Sequence, residues 1–187
     1  MPRNASEIRV AGTGRILVAP PNTAAPTDFA VDWTSTWKDL GYTSADGVRF
    51  VNKDKLDPVD TWQTVAPIRF VYADRDFSVK FALLQVNVDT LPFVFGGAAP
   101  TVTGTALSYE IAASPQVKEW ALGIEFKDGV DIIHRFVVPR GVVTETEEAS
   151  LSRNSAIKLG VTFTALTPTP VNNRFEPLAL WTMNRTS

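Results

Sequence analysis

Alternation of apolar and polar residues dominates the chain. Phe77, Val79, Phe81 and Leu83 alternate with Ser78, Lys80 and Ala82, the mark of a strand with one dry face and one wet face. Trp120, Leu122, Ile124 and Phe126 alternate with Glu119, Ala121, Gly123 and Glu125. Lys127-Asp128-Gly129 then carries the Asp-Gly signature of a tight hairpin turn, and Val130, Ile132, His134, Phe136 and Val138 continue on the return. Ile157, Leu159, Val161, Phe163 and Ala165 predict a further strand, stopped by Thr167-Pro168-Thr169-Pro170. Shorter strands are expected at 14–19, 47–51, 68–71, 106–111, 149–152 and 175–181. Two places break the period. Trp33, Trp37 and Leu40 stand at i, i+4 and i+7 and predict a short helix, with Asp32 as its cap and Gly41 at its exit. That helix is too short to be stable alone, so its tryptophans must dock on the rest of the protein. Residues 88–95, with Pro92 in the first turn, predict a second short helix, although their Val and Phe content leaves a strand open.

These elements predict a mainly β protein: an antiparallel β-sandwich or barrel with one or two short flanking helices. No repeat and no domain boundary interrupts it, so a single domain is expected over 1–187. Residues 1–13 read as an N-terminal arm. Residues 52–66 begin with a charged run (Lys53, Asp54, Lys55, Asp57, Asp60) around Pro58 and end at Trp62 and its neighbours. Between two strands, this predicts a hairpin with a long projecting loop, and loops of that length are usually functional.

Composition narrows the function. Eighteen basic side chains against twenty acidic ones, in 187 residues, argue against a dedicated nucleic-acid binder. The absence of cysteine excludes disulfide scaffolds, thiolate zinc sites, iron–sulfur clusters and cysteine nucleophiles. The greasiest stretch, 77–95, is broken by Lys80, Gln85, Asn87, Asp89 and Pro92, so no membrane insertion is expected. The apolar patch at 16–19 is too short for the core of a signal peptide.

Little in the chain carries chemistry. His134 shares its parity with Phe136 and Val138 and reads as a structural residue, since no nucleophile or orienting partner is marked. Asp54, Asp57 and Asp60 recur every third residue, unlike the alternate-position acids of a calcium loop, and Lys53 and Lys55 oppose a cation. A solvated loop, or an arm that pairs its mixed charges with a neighbour, fits them better. Gly12-Thr13-Gly14 lacks the Lys-Ser/Thr of a phosphate loop. Glu145, Glu147 and Glu148, beside Arg140 and Arg153, read as a solvated turn. The five tryptophans (Trp33, Trp37, Trp62, Trp120, Trp181) read as core and interface anchors before they read as a carbohydrate platform. No enzyme and no cofactor is expected.

Several phrases together resemble a known family. They are the segment 14–20 (GRILVAP), the phrase at 37–48 (WKDLGYTSADGV), the strand 77–87 (FSVKFALLQVN) with Thr90-Leu91 and Phe95-Gly96, the segment 136–141 (FVVPRG), and 150–153 (SLSR) before 158–166 (KLGVTFTAL). The chain resembles the major tail (tail tube) proteins of long-tailed, non-contractile bacteriophages over about residues 14–182. Gln85 departs from the Glu of the family phrase. The resemblance implies a structural virion protein, assembled in the host cytoplasm. It also implies six-membered rings that stack into a tube, inner strands of neighbours joined into one barrel, and double-stranded DNA passing through the lumen without specific binding. Implied partners are further copies of the chain, the tape measure, the terminator and the distal tail protein. The expected inter-subunit and inter-ring residues are Arg9, Arg15, Lys53, Asp54, Lys55, Asp57, Asp60 and Trp62, with Trp33, Trp37 and Leu40 as helix-docking residues. A neutral-to-acidic lumen is expected, because cationic contacts to phosphate would slow sliding. A contractile-tail or injection-system tube, a carbohydrate-binding β-sandwich and a hydrolase are the alternatives.

Overall fold

The computed structural model describes residues 7–114, 116–129, 131–170 and 177–184. In chain order its elements are β1 (Thr13–Ala19), β2 (Lys38–Asp39), β3 (Arg49–Thr61), β4 (Thr64–Leu83), α1 (Thr90–Phe95), β5 (Thr101–Thr103), β6 (Ala106–Ser108), β7 (Glu119–Asp128), β8 (Ile132–Thr146), β9 (Leu159–Ala165) and β10 (Leu180–Met183). β5 and β6 make a small separate hairpin. The other strands form one antiparallel sheet in the order β2-β1-β7-β8-β9-β4-β3, with β10 as an extra partner of β8.

β8 is the corner of this sheet. Along one edge it pairs with β7 from Ile132 to Val142. Along the other it pairs first with β10, at His134–Val137, and then with β9, at Gly141–Thr146. The change of partner falls at Pro139-Arg140, where proline has no N–H to give to a ladder. The Arg140 guanidinium fixes the bend by donating to both oxygens of Glu119 at 2.8 and 2.7 Å and to the Thr167 carbonyl at 3.1 Å. At the far side, Ser44 N–H donates to the Ala82 carbonyl and Leu84 N–H to the Tyr42 carbonyl, joining 42–44 to the end of β4. The sheet thus curls into a barrel that is closed at one end of its seam.

The alternating apolar residues converge inside. Ile16 and Val18 of β1, Val79, Phe81 and Leu83 of β4, Leu122 and Ile124 of β7, Phe136 and Val138 of β8, and Val161 and Phe163 of β9 form one buried cluster. α1 contributes Phe93, whose ring lies 6.1 Å from Phe81 and 6.0 Å from Phe163. Asn87 starts this helix by accepting the N–H groups of Asp89 and Thr90 at 2.9 Å. The helix reading of 88–95 is therefore the one that forms, over its last six residues.

A second cluster lies on the opposite face of β1, β7 and β8. Leu17, Ala19, Ala121 and Val137 are covered there by Trp33 and Trp37, which belong to a strap running from residue 20 to residue 37. No helix forms at 33–40; this expectation is corrected. Trp37 N–H closes a single turn on the Thr34 carbonyl, and Lys38-Asp39 then pairs with β1 as β2. The spacing of Trp33, Trp37 and Leu40 does bury all three, but two docked indoles and a strand pairing outweigh a helix of two turns. The seat for the indoles is Gly123, where a Cβ would fall 2.5 Å from the Trp33 ring and 3.1 Å from that of Trp37.

Three further expectations are corrected. No strand forms at 149–152, whose polar residues meet no free ladder, and the strand expected at 106–111 ends at Ser108. Residues 52–66 are not a loop. They are mostly ladder, because β3 and β4 stay paired from Arg49↔Lys80 out to Thr61↔Thr64. Charged side chains stand on a strand as readily as on a loop when both faces meet water. Residues 1–6 of the expected arm, and 175–176 of the strand expected at 175–181, lie outside the described residues; of the remaining 177–181 only Leu180 and Trp181 are strand, as the start of β10.

Candidate assembly surface

β3 and β4 build the feature that sets this molecule apart from an ordinary barrel. β4 pairs with β9 only from Ser78 to Leu83. From Phe77 outward it pairs with β3 alone, so among the described residues the hairpin leaves the barrel with no further strand on either edge. Thirteen residues of β3, at about 3.3 Å each, carry its tip roughly 40 Å from its root.

Register gives the hairpin two unlike faces. Phe50 and Phe77 sit on the face that continues the barrel interior, with the Phe136 ring 4.6 Å from Phe50 and 5.6 Å from Phe77. Further out the same face carries Asn52 and the ion pair of Asp54 with Arg75, then Leu56 opposite Tyr72 and Pro58 opposite Phe70. Ile68 follows at the same parity. Leu56, Ile68, Phe70 and Tyr72 are between 47% and 67% exposed, and Trp62 at the tip is 99% exposed. A core-like surface of this kind, extending past the core into solvent, marks a contact site.

The opposite face is mainly polar, with Val51, Val59 and Val71 among its charged residues, and continues onto β9 and the end of β8. It carries the cations Arg49, Lys53, Lys55, Arg69 and Lys80 and the anions Asp57, Asp74, Asp76 and Glu145 among Ser78, Thr144, Thr162 and Thr164. Lys55 lies 3.7 Å from Asp57, and Lys80 lies 3.9 Å from Glu145. The face is close to charge balance.

The hairpin brings together Lys53, Asp54, Lys55, Asp57, Asp60 and Trp62. The Asp54 carboxyl sits below its ordinary range because Arg75 donates to both of its oxygens, at 2.8 and 2.9 Å. Arg9 and Arg15 stand apart on the barrel. Arg9 lies 3.6 Å from Asp128. Arg15 belongs to an internal cluster: it lies 2.9 Å from Glu125, it also pairs with Asp32, and Arg135 donates to Glu125 at 2.7 Å. Burial alone would raise the Glu125 carboxyl; hydrogen bonds from Arg135 and Trp33 and the charge of Arg15 outweigh it and hold the group low. The hairpin residues that charge patterning overlooked are Leu56, Ile68, Phe70 and Tyr72. Ile68, Phe70 and Tyr72 do alternate, but a bulge at Ala73 breaks their parity with Arg75, Phe77 and Val79, and so hides one continuous strand.

No constellation for catalysis forms among the described residues. His134 is stacked 4.5 Å from Phe126 and accepts from the Trp181 indole at 3.2 Å, with no carboxylate or hydroxyl on its ring. Among the described residues no group of three His, Asp or Glu is placed to hold a metal. The tryptophans are scattered: Trp33 and Trp37 anchor the strap, Trp120 packs on Phe93, Trp181 packs on Phe50, Phe126 and Phe136 near the root of the hairpin, and Trp62 is bare at its tip. They make no shared platform for a sugar.

The molecule is therefore a barrel whose apolar interior spills onto a long unpaired hairpin, a construction that calls for other copies and not for a substrate. No curated protein matches the chain. The family model described as phage tail tube protein matches residues 1–187, and the chain belongs to that family of structural virion proteins.

Proposed function

We propose that this tail tube protein assembles as six-membered rings stacked into the tube of a non-contractile, siphovirus-type tail, and that the polar face of β3, β4, β9 and the end of β8 lines the bore. The observation that carries this reading is the pairing of two uncovered faces on one sheet. The strap already covers the outer side of β1, β7 and β8. The hairpin leaves one apolar face and one charge-balanced face. In a closed ring the apolar face is the one that neighbours bury, and the polar face remains toward water and cargo. The free edges of β3 and β4 support lateral pairing, which removes exposed ladders.

A near-neutral wall suits a conduit. Each added cation on phosphate strengthens binding and makes it salt-dependent, so DNA slides best where Lys and Arg are matched by Asp and Glu. The tape measure, terminator and distal tail proteins are the partners this role requires. Electron microscopy of the purified chain tests the reading: rings or tubes of uniform bore support it, and particles that stay monomeric at high concentration overturn it. Negative stain of the intact tail, with or without a contractile sheath, decides the tail type.

A further inference from the structure

Beside the root of the hairpin the barrel wall is open. β2 pairs with β1 only at Leu17 and Val18, so the start of β1 has a free edge, and β3 presents another across the gap. Between them lies a slot of about 310 Å³ lined by Ile16, Val48, Phe50, Ile124, Phe126 and the backbone at Gly14. That volume is at the small end of ligand pockets, enough for one ring system. Among the described residues no carboxylate lines the slot. Thr43 and Ser44 bring hydroxyls to its lip, whereas the Arg15 guanidinium is held by Glu125 and Asp32 on the other face of β1. Apolar walls and a hydroxyl lip are what an indole with one N–H asks for.

Such an indole sits at the other end of the same hairpin. Trp62 is 99% exposed at the turn between β3 and β4, roughly 40 Å from the slot at the ladder's rise per residue. It cannot reach its own slot. A second copy shifted along the hairpin by one hairpin length brings its slot to the first copy's tip. A contact between different surfaces, repeated by translation, does not close and grows a filament.

We propose that Trp62 of one copy inserts into the seam slot of a second copy stacked along the hairpin axis, and that this contact sets the axial repeat of the tube. The inference rests on the tube reading above and names the partner surface of its tip. It gives a repeat of about 40 Å along the axis.

The chain has no cysteine, which allows a clean cross-linking test. In the wild-type background, Trp62→Ala leaves the thermal midpoint of the monomer unchanged and raises the concentration needed for tube growth at least about tenfold. Ala45→Trp, at the lip of the slot, has the same effect by plugging it. The double variant Gln63→Cys/Ala45→Cys, which keeps Trp62 and is oxidised after assembly, gives a covalent ladder of multimers on a denaturing gel. Wild-type growth by Trp62→Ala, or only monomers on the gel from double-variant tubes, overturns the slot assignment while leaving the tube reading standing. A ladder from Ala5→Cys/Ala45→Cys in place of the first pair gives the slot to the N-terminal arm and likewise overturns it. If the wild-type chain does not polymerise at all, the tube reading fails and takes this inference with it.

Discussion

The strap at residues 20–37 and the hairpin at residues 49–76 both leave the barrel, both carry tryptophan and both hold arginine–carboxylate pairs. Beneath the strap, Arg135 of β8 is 3% exposed and donates to Glu125 of β7 at 2.7 Å and to the strap carbonyls of Asp28 and Val31 at 2.8 and 2.9 Å. The Trp33 indole adds a bond to Glu125 at 2.9 Å. In the hairpin, Arg75 binds Asp54 with equally good geometry, but in water. The bonds are alike and the surroundings are not. A buried charge whose partner is removed is left without solvent, whereas an exposed one falls back on water. The strap has found its cover within the chain. The hairpin, by the reading given above, finds its cover on other copies.

The sharpest way to break this contrast is at Arg135. Arg135→Met leaves Glu125 buried with one of its three side-chain partners gone and costs about 3–5 kcal/mol, read as a drop in the denaturant midpoint of the monomer. Trp33→Ala empties the seat over Gly123 and is expected to cost about 3–5 kcal/mol, the range for large aromatic truncations. If both changes prove mild, the strap is no better anchored than the hairpin and the contrast is lost. Phe70→Ser and Leu56→Ser act on the other side of it. Each is expected to change monomer stability by no more than about 0.5 kcal/mol and yet to suppress ring or tube formation by light scattering. A folded Phe70→Ser monomer that assembles normally would refute the role given to that face.

Acid should strike the barrel and strap first. Burial, then the charge of Arg9, hold the His134 imidazole below its ordinary 6.5. The unfolded chain therefore takes up that proton before the folded one does, and stability starts to fall as pH drops through 6.5. Glu125 is also depressed, so its contribution is complete above the ordinary 4.5 and is lost as pH falls through the lower folded value. Denaturation midpoints against pH should show both stages, and His134→Phe should flatten the first. The smallest effect is expected for Asp54→Asn. It breaks a well-formed but exposed pair and leaves the monomer's midpoint unmoved within error.

The strands of the barrel were legible because alternation is a local signal. Phe77 to Leu83 and Trp120 to Phe126 declare their dry face residue by residue, and each lies in the ladder with that face inward. The turn at Lys127-Asp128-Gly129 was legible for the same reason, with Gly129 at φ 66°. The helix expected at Trp33–Leu40 shows the limit. Its spacing correctly put three apolar residues on one side, but their conformation depended on a glycine about ninety positions away that leaves room for two indoles. The hairpin shows another limit. Charges at Lys53 to Asp60 read as loop because sequence does not reveal that Asp74, Arg75 and Asp76 stand opposite three of them.

The chain by itself determined that this is an antiparallel β protein without thiol or multi-histidine chemistry, because period-two patterning and residue counts need no knowledge of neighbours. It also carried the phrases by which its family can be suspected. Only the tertiary structure decided which tryptophans are covered and which is bare, that the charged run is a ladder, and where an apolar slot opens beside β1. Those outcomes are set by contacts between residues far apart in sequence, whose energies depend on burial, and burial exists only once the sheet has curled.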